Sequence, residues 1–293
     1  MKRRAITLAM ATAVLLAGCG APGKDMADTA EMLAEELGDD QVTSVTLIDT
    51  RLTIRSLDRE AGAEIGAEKG EVTRVEQRYE QRRRPLADFD LEKLGAIRDK
   101  LDCEDGWVPV VHSDSLLGGG MVVRSTCAQG SEFGTWTTEF DGKELGPVDD
   151  WSPEAIDEAL GIIRGSVGDK AVKVMFTGPG GSDPAATETH DVHGYGPRRG
   201  NCTPSVTRYG GPNSNDLGHL LTTCDRGESS WDFDPEFDLT KITGDRVMAA
   251  RDALEQKVGK IDDFWIAVMD DQLVVTTYRG SARPGQEPRV PLN

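Results

Sequence analysis

The sequence predicts an α+β protein in which helices pack on one face of twisted antiparallel sheets. Three observations carry this. Apolar residues recur at helical spacing in only four stretches, near 26–37, 91–101, 153–167 and 246–258. Between them lie many short runs of strand-forming residues, several arriving in adjacent pairs. Four cysteines, Cys103, Cys127, Cys202 and Cys224, bracket two segments of hairpin size. Helices that cover one face of antiparallel sheets leave the other face for solvent.

The chain opens on Met1 and the basic Lys2-Arg3-Arg4, followed by an apolar run from Ala5 to Leu16 and then Ala17-Gly18-Cys19. A charged start, a short apolar stretch and small residues before a cut site make an export signal. The run is too short to span ~30 Å of hydrocarbon. Leu16-Ala17-Gly18-Cys19 resembles the lipobox of bacterial lipoproteins. That resemblance covers residues 1–20. It implies diacylation of Cys19, cleavage before it, and attachment to the extracytoplasmic side of the bacterial cell membrane. Two acyl chains suffice for stable anchoring. Residues 1–18 are then the signal and 19–25 a lipidated tether.

From Met26 to Leu37 the spacing predicts a helix, ended by Gly38. Strands are expected over Val42–Ile48 and Arg51–Leu57, a loop over Ala61–Lys69, and a third strand over Val72–Gln81 running into Arg82-Arg83-Arg84. A second helix spans Leu91–Leu101. A hairpin follows, with arms Trp107–Val111 and Met121–Ser125 and a turn supplied by Leu117-Gly118-Gly119-Gly120. The third helix, Pro153–Val167, starts with Ser152 as N-cap and Pro153 at N1. Strands Ala171–Thr177 and Thr187–His193, helix Arg246–Val258, and strands Phe264–Met269 and Gln272–Tyr278 complete the chain. These elements divide into an N-terminal α+β domain, 26–145, and a C-terminal one, 146–293. In element order alone they resemble PepSY-like exported modules, which implies no site residues.

An even number of cysteines in an exported chain implies disulfides. The spacing favours Cys103–Cys127 and Cys202–Cys224, each clamping one hairpin. Thr126-Cys127-Ala128-Gln129-Gly130, Trp136 and Phe140-Asp141 match Thr223-Cys224-Asp225-Arg226-Gly227, Trp231 and Phe237-Asp238. Each set is followed by a helix and two strands. The sequence therefore predicts an internal duplication of a disulfide-clamped hairpin plus a helix-hairpin unit.

The formal charge is −18, from 33 basic and 51 acidic side chains. Losing Lys2, Arg3 and Arg4 with the signal makes it −21. That argues against nucleic acid and anionic headgroups as partners and suits a cationic protein, peptide or envelope component.

Motifs for catalysis are sparse. His190 and His193 have H-x-x-H spacing, but in an extended context, where i and i+3 face opposite ways. His112 and His219 stand alone. Gly178-Pro179-Gly180-Gly181-Ser182 lacks the Gly-Lys-Ser/Thr ending of a phosphate loop. No G-x-S-x-G or S-x-x-K occurs. The expectation is a non-catalytic binding or scaffold module without cofactor, metal or catalytic residues. The alternatives are a hydrolase or metal-dependent enzyme built from scattered Asp, Glu and His, and a lipid carrier. A carrier needs a large apolar cavity, for which 38% hydrophobic residues and few aromatics offer little material.

Overall fold

The computed structural model describes residues 22–75, 81–179, 190–200, 202–210, 219–225, 235–278 and 287–292. It is an α+β protein with four α-helices and antiparallel sheets among these residues.

The first half runs α1 (Pro22–Leu37), β1 (Gln41–Val42), β2 (Ser44–Ile48), β3 (Arg51–Ser56), β4 (Arg59–Glu64) and β5 (Glu71–Arg74). It continues through β6 (Arg84–Pro85), a 3-10 turn at Leu86–Asp88, α2 (Leu91–Lys100), β7 (Val108–Ser115), β8 (Met121–Gln129), β9 (Glu132–Phe133), β10 (Thr137–Phe140) and β11 (Lys143–Glu144). The second half runs α3 (Pro153–Val167), β12 (Lys170–Ala171), β13 (Lys173–Thr177), β14 (Asp191–Tyr195), β15 (Thr203–Arg208) and β16 (Leu220–Asp225). Then come β17 (Phe237–Asp238), a 3-10 turn at Leu239–Lys241, α4 (Gly244–Val258), β18 (Phe264–Met269), β19 (Gln272–Thr276) and β20 (Arg289–Pro291).

Strand order in the first sheet is β5-β4-β3-β2-β7-β8-β10-β11, with β9 on β8. In the second it is β16-β15-β14-β13-β18-β19-β20. Both halves therefore lay four strands side by side, cross back through a 3-10 turn and a helix, and add the next strands to the free edge of the first. Each also pairs two short strands before its second helix, β1 with β6 and β12 with β17.

Strand alternation explains the core. Val45, Leu47, Leu52, Ile54, Ala61, Ala63 and Val111 point to one face of the first sheet. Met26, Ala30, Leu33 and Leu37, at helical spacing on α1, cover them with Leu94 of α2. The second sheet buries Val174, Phe176, Val192, Val206, Ile266 and Val275 under α3 and α4. Leu116, Val122, Phe140 and Leu145 of the first half join that second core, so the halves share apolar interior.

A glycine turn makes the seam. The Gly118 and Gly120 N–H groups donate to the carbonyls of Ser166 and Gly165 at the end of α3, at 3.2 and 2.9 Å. A Cβ on Gly118 would stand 1.9 Å from the Arg164 carbonyl oxygen. Gly119 has φ +96°, the left-handed region that glycine tolerates.

Both expected cysteine pairs are joined, with Cα–Cα distances of 5.5 Å for Cys103–Cys127 and 5.3 Å for Cys202–Cys224. Their places differ. Cys127 lies opposite Pro109, and Cys103 precedes β7. Cys202 and Cys224 bind the outer hairpin β15–β16. The expected repeat joins β7–β8 to α3, yet β7–β8 belong to the first sheet and α3 covers the second. That register of duplication is therefore not the one in which the sheets are built. Trp231, the expected mate of Trp136, lies outside the described residues.

Three local expectations are also corrected. Residues 59–64 form a strand, not a loop, because Ala61 and Ala63 are buried opposite Ile54 and Leu52. The 42–48 strand divides at Thr43, where pairing changes from Arg84 to Arg55. Of the third strand, β5 covers only Glu71–Arg74, and residues 76–80 lie outside the description.

Two measurements test this architecture. Non-reducing peptide mapping should recover Cys103–Cys127 and Cys202–Cys224 and no crossed peptide, and removing either bridge should lower unfolding free energy by about 3 kcal/mol. Gly118→Val should cost about 1–3 kcal/mol in urea unfolding, because the new side chain meets the α3 backbone. An unchanged midpoint would show that the turn is not packed there.

Candidate functional site

Two features of the first half are candidates, a groove in the helix layer and a charged cluster on the opposite face of the sheet. The groove lies between α1 and the segment from Pro85 to Leu91, with a volume of about 1040 Å³. Its apolar lining comes from Ala27 and Ala34 of α1, then Pro85, Leu86, Ala87, Phe89 and Leu91. Glu31, Glu35, Asp39, Asp40, Asp88 and Asp90 line it as well, and no Lys or Arg does. α1 places its acids there by periodicity: Ala27, Glu31, Ala34 and Glu35 fall at steps of three and four on one face.

Some of these carboxylates have structural work. Asp90 caps α2 by accepting from the Lys93 N–H at 2.9 Å. Asp39 accepts from the Gln41 N–H, the Ser56 hydroxyl and Arg83, each at 2.9 Å. Burial opposes its ionisation, but those donors outweigh it and hold the Asp39 carboxyl below its ordinary range. Glu31, Glu35 and Asp40 are exposed.

The charged cluster sits on the face of the first sheet away from its helices. Thr46, His112 and Arg124 stand side by side on β2, β7 and β8. Asp114, two residues along from His112 and so on the same face, is 2% exposed. Its Oδ2 accepts from Arg124 Nη1 and meets His112 Nε2, both at 2.9 Å. Its Oδ1 accepts from Gln81 Nε2 at 2.9 Å. His112 Nδ1 lies 2.6 Å from the Thr46 hydroxyl. Arg124 Nη2 donates to the Leu220 carbonyl of β16 at 3.0 Å, tying the cluster to the second sheet. Burial pushes the Asp114 carboxyl up, but the charges and hydrogen bonds of His112 and Arg124 prevail and lower it to about 2.

A smaller cavity of about 420 Å³ lies at the seam, lined by residues 143–144 and 146–152, Glu158 and Arg208 among others. Arg208 is 3% exposed and donates to the carbonyls of Tyr209 and Gly146. Burial lowers its pKa against the pull of Glu158 and Asp191. Trp151 is buried beside it, edge-on to Phe176 and His190.

The histidines are not brought together. His190 Nδ1 lies 3.2 Å from the Val148 carbonyl, His193 Nδ1 lies 3.0 Å from the Thr207 hydroxyl, and His219 Nδ1 lies 3.0 Å from the Tyr209 carbonyl. Among the described residues no group of three or more His, Cys, Asp or Glu is placed to hold a metal ion. Cys19 lies outside the description, as does the stretch from Gly180 to Ser182. Among the described residues no helix is long and apolar enough to cross a membrane.

No protein-family model, curated protein or solved structure matches this chain.

Sequence reasoning missed both features. His112-Ser113-Asp114 in an extended run was the available signal for the cluster, since i and i+2 share a face. The groove had only a weak one, acids stepping along one side of the first helix.

The cluster makes acid unfolding testable. Asp114 has a lowered folded pKa, so its stabilisation is fully present above its unfolded value and lost as pH falls from about 4 towards 2. The amount is on the order of 2 kcal/mol. Asp114→Asn should remove that pH dependence in urea titrations. It should also cost about 3 kcal/mol at pH 7, because Arg124 loses its buried counter-ion. A variant with the parent's slope between pH 4 and 2 would exclude this account.

Proposed function

We propose that this protein is a membrane-anchored extracytoplasmic lipoprotein whose folded part is a non-catalytic binding or scaffold module for a protein, peptide or envelope component. The observation that carries the reading is the groove of about 1040 Å³ along α1, lined by apolar residues and by six carboxylates. Its volume lies at the upper end of small-molecule sites, which favours a macromolecular segment over a metabolite. Two disulfides, a shared core and a seam of backbone hydrogen bonds make the support rigid, and a rigid surface loses less entropy on binding. A mature charge of −21 selects cationic partners and speeds their arrival.

The anchor rests on Leu16-Ala17-Gly18-Cys19 behind a short signal. The protein is accordingly held at the bacterial cell membrane by lipid on Cys19.

A second reading, a hydrolase, draws on the Thr46–His112–Asp114 series, since a hydroxyl, an imidazole and a carboxylate in sequence can activate a nucleophile. Against it, the carboxylate also serves Arg124 and Gln81, which suits a structural clasp. Ester or amide turnover abolished by His112→Ala with the fold intact would establish this reading instead.

Cys19→Ser decides the anchor. The variant should leave the membrane fraction or keep its signal unprocessed, as read by fractionation and intact mass. Normal processing and full membrane retention would overturn it.

A further inference from the structure

We infer that the groove along α1 receives a basic amphipathic helix presented by a partner protein. This deepens the binding-module reading and rests on it. The groove has two chemistries arranged together. Ala27, Ala34, Leu86 and Leu91 give an apolar strip, and Glu31, Glu35 and Asp40 line it as exposed carboxylates. A helix with an apolar stripe at i, i+3, i+4 and i+7 and Lys or Arg beside it complements both. A small polycation would leave the apolar strip uncovered, and an acidic or neutral helix would leave the carboxylates facing apolar or like-charged groups.

The second half of the protein shows what the same place looks like when closed. There α4 begins at Gly244, directly against α3, and a Cβ on Gly244 would stand 1.8 Å from the Pro153 carbonyl oxygen. The Gly244 N–H donates to Asp157 Oδ1 of α3 at 2.7 Å. Leu239 and Ile242, from the 3-10 turn and the residue after it, are 1% and 6% exposed. In the first half Leu86 and Leu91 hold the places of Leu239 and Gly244, and both are only partly buried. Leu91 thus starts α2 where Gly244 starts α4, and α2 meets α1 further along, at Gly95, where a Cβ would stand 3.2 Å from the Met26 terminal methyl. Phe89, in the place of Ile242, is buried at 3%, so the apolar surface left in the groove for another helix is that of the part-exposed Leu86 and Leu91.

The groove's lining can be altered without touching the core, because Glu31 and Glu35 of α1 and Ala87 of the 3-10 turn are exposed. The probe is a synthetic Lys/Leu amphipathic helix. Its controls are a proline-interrupted peptide of the same composition and a Glu/Leu helix. The protein is the chain from residue 19 onward with Cys19→Ser, which keeps every described residue. Calorimetry should show the Lys/Leu helix binding, and raised salt should weaken it. Glu31→Lys/Glu35→Lys, and separately Ala87→Trp, which fills the groove, should each weaken it at least about tenfold. The reversal Glu132→Lys/Asp252→Lys, equal in charge and remote from the groove, should change it less than about twofold. Equal losses from both reversals, or equal binding of the proline-interrupted peptide, would overturn the inference.

A second arm separates this inference from the reading beneath it. The lipidated full chain is photo-cross-linked in intact envelopes through a probe at Ala87. A cross-linked partner segment that is basic and helical, and that is lost with Glu31→Lys/Glu35→Lys, supports both. A partner retained equally by both chains overturns the groove and spares the module. No partner for either chain removes both.

Discussion

The ion pair between Asp114 and Arg124 is the constraint on which the arrangement of the halves depends. Both side chains are nearly excluded from water, at 2% and 7% exposure. Desolvating two charges costs several kcal/mol each, and the pair recovers this only if its remaining polar atoms are also satisfied. Here the carboxylate meets His112, Arg124 and Gln81, and the guanidinium also reaches the Leu220 carbonyl of the other sheet, which leaves only Arg124 Nε of the pair buried without a hydrogen-bond partner. The hydrogen bonds define a position for β7, β8, the segment at Gln81 and the start of β16 at once. An apolar pair of the same volume could be as stable, but it would not specify where β16 must lie. The clasp therefore contributes register between the sheets.

The glycine turn at 118–120 works with the clasp, which lies a few residues away at the same end of the β7–β8 hairpin. Only residues without a Cβ let this backbone reach the last turn of α3, where two N–H groups satisfy carbonyls that the helix leaves open. Phe140 then lies against Gly165 and Gly120, closing the seam with apolar contact. The two sheets are thereby one body, and the groove on α1 is carried by the whole of it.

Much of this was legible in the sequence, and the failures have physical causes. The four helices and both disulfides followed from apolar period and cysteine spacing, which are local signals. Strand 59–64 was misread because Ala61, Gly62 and Ala63 have poor strand propensity, and burial under α1 outweighed it. The expected duplication rests on the cysteines, the most conspicuous residues, but the two bridged hairpins sit at different places in their sheets. Quieter matches stand at equivalent places. Gly38-Asp39 and Val42 correspond to Gly168-Asp169 and Val172 after α1 and α3. Leu86 and Arg98-Asp99-Lys100-Leu101 correspond to Leu239 and Arg251-Asp252-Ala253-Leu254 around α2 and α4. The clasp was legible only as His112-Ser113-Asp114 on one strand face, because Gln81 and Arg124 reach Asp114 only when the first sheet forms and Leu220 joins only when the halves meet.

The proposed anchor and the proposed groove would also constrain each other. Pro22, where α1 begins, is three residue steps from Cys19, and three steps reach at most about 11 Å. From Ala27 to Glu35 the helix rises roughly 12 Å. With lipid on Cys19, the groove is therefore held within a few tens of ångströms of the headgroups. An acidic surface so close to anionic lipid is repelled by it, an effect that fades over a Debye length of about 8 Å. The stable orientation turns the carboxylates of α1 sideways or outward, away from the bilayer. A basic helix next to a membrane feels the opposite pull and is drawn to the headgroups, so the groove must compete with them for its ligand. Electrostatics alone would make that contest close. The apolar strip of Ala27, Ala34, Leu86 and Leu91 adds a term that does not depend on lipid charge. Under the proposed reading the groove would then select a helix whose apolar stripe is too narrow to bury itself in the bilayer.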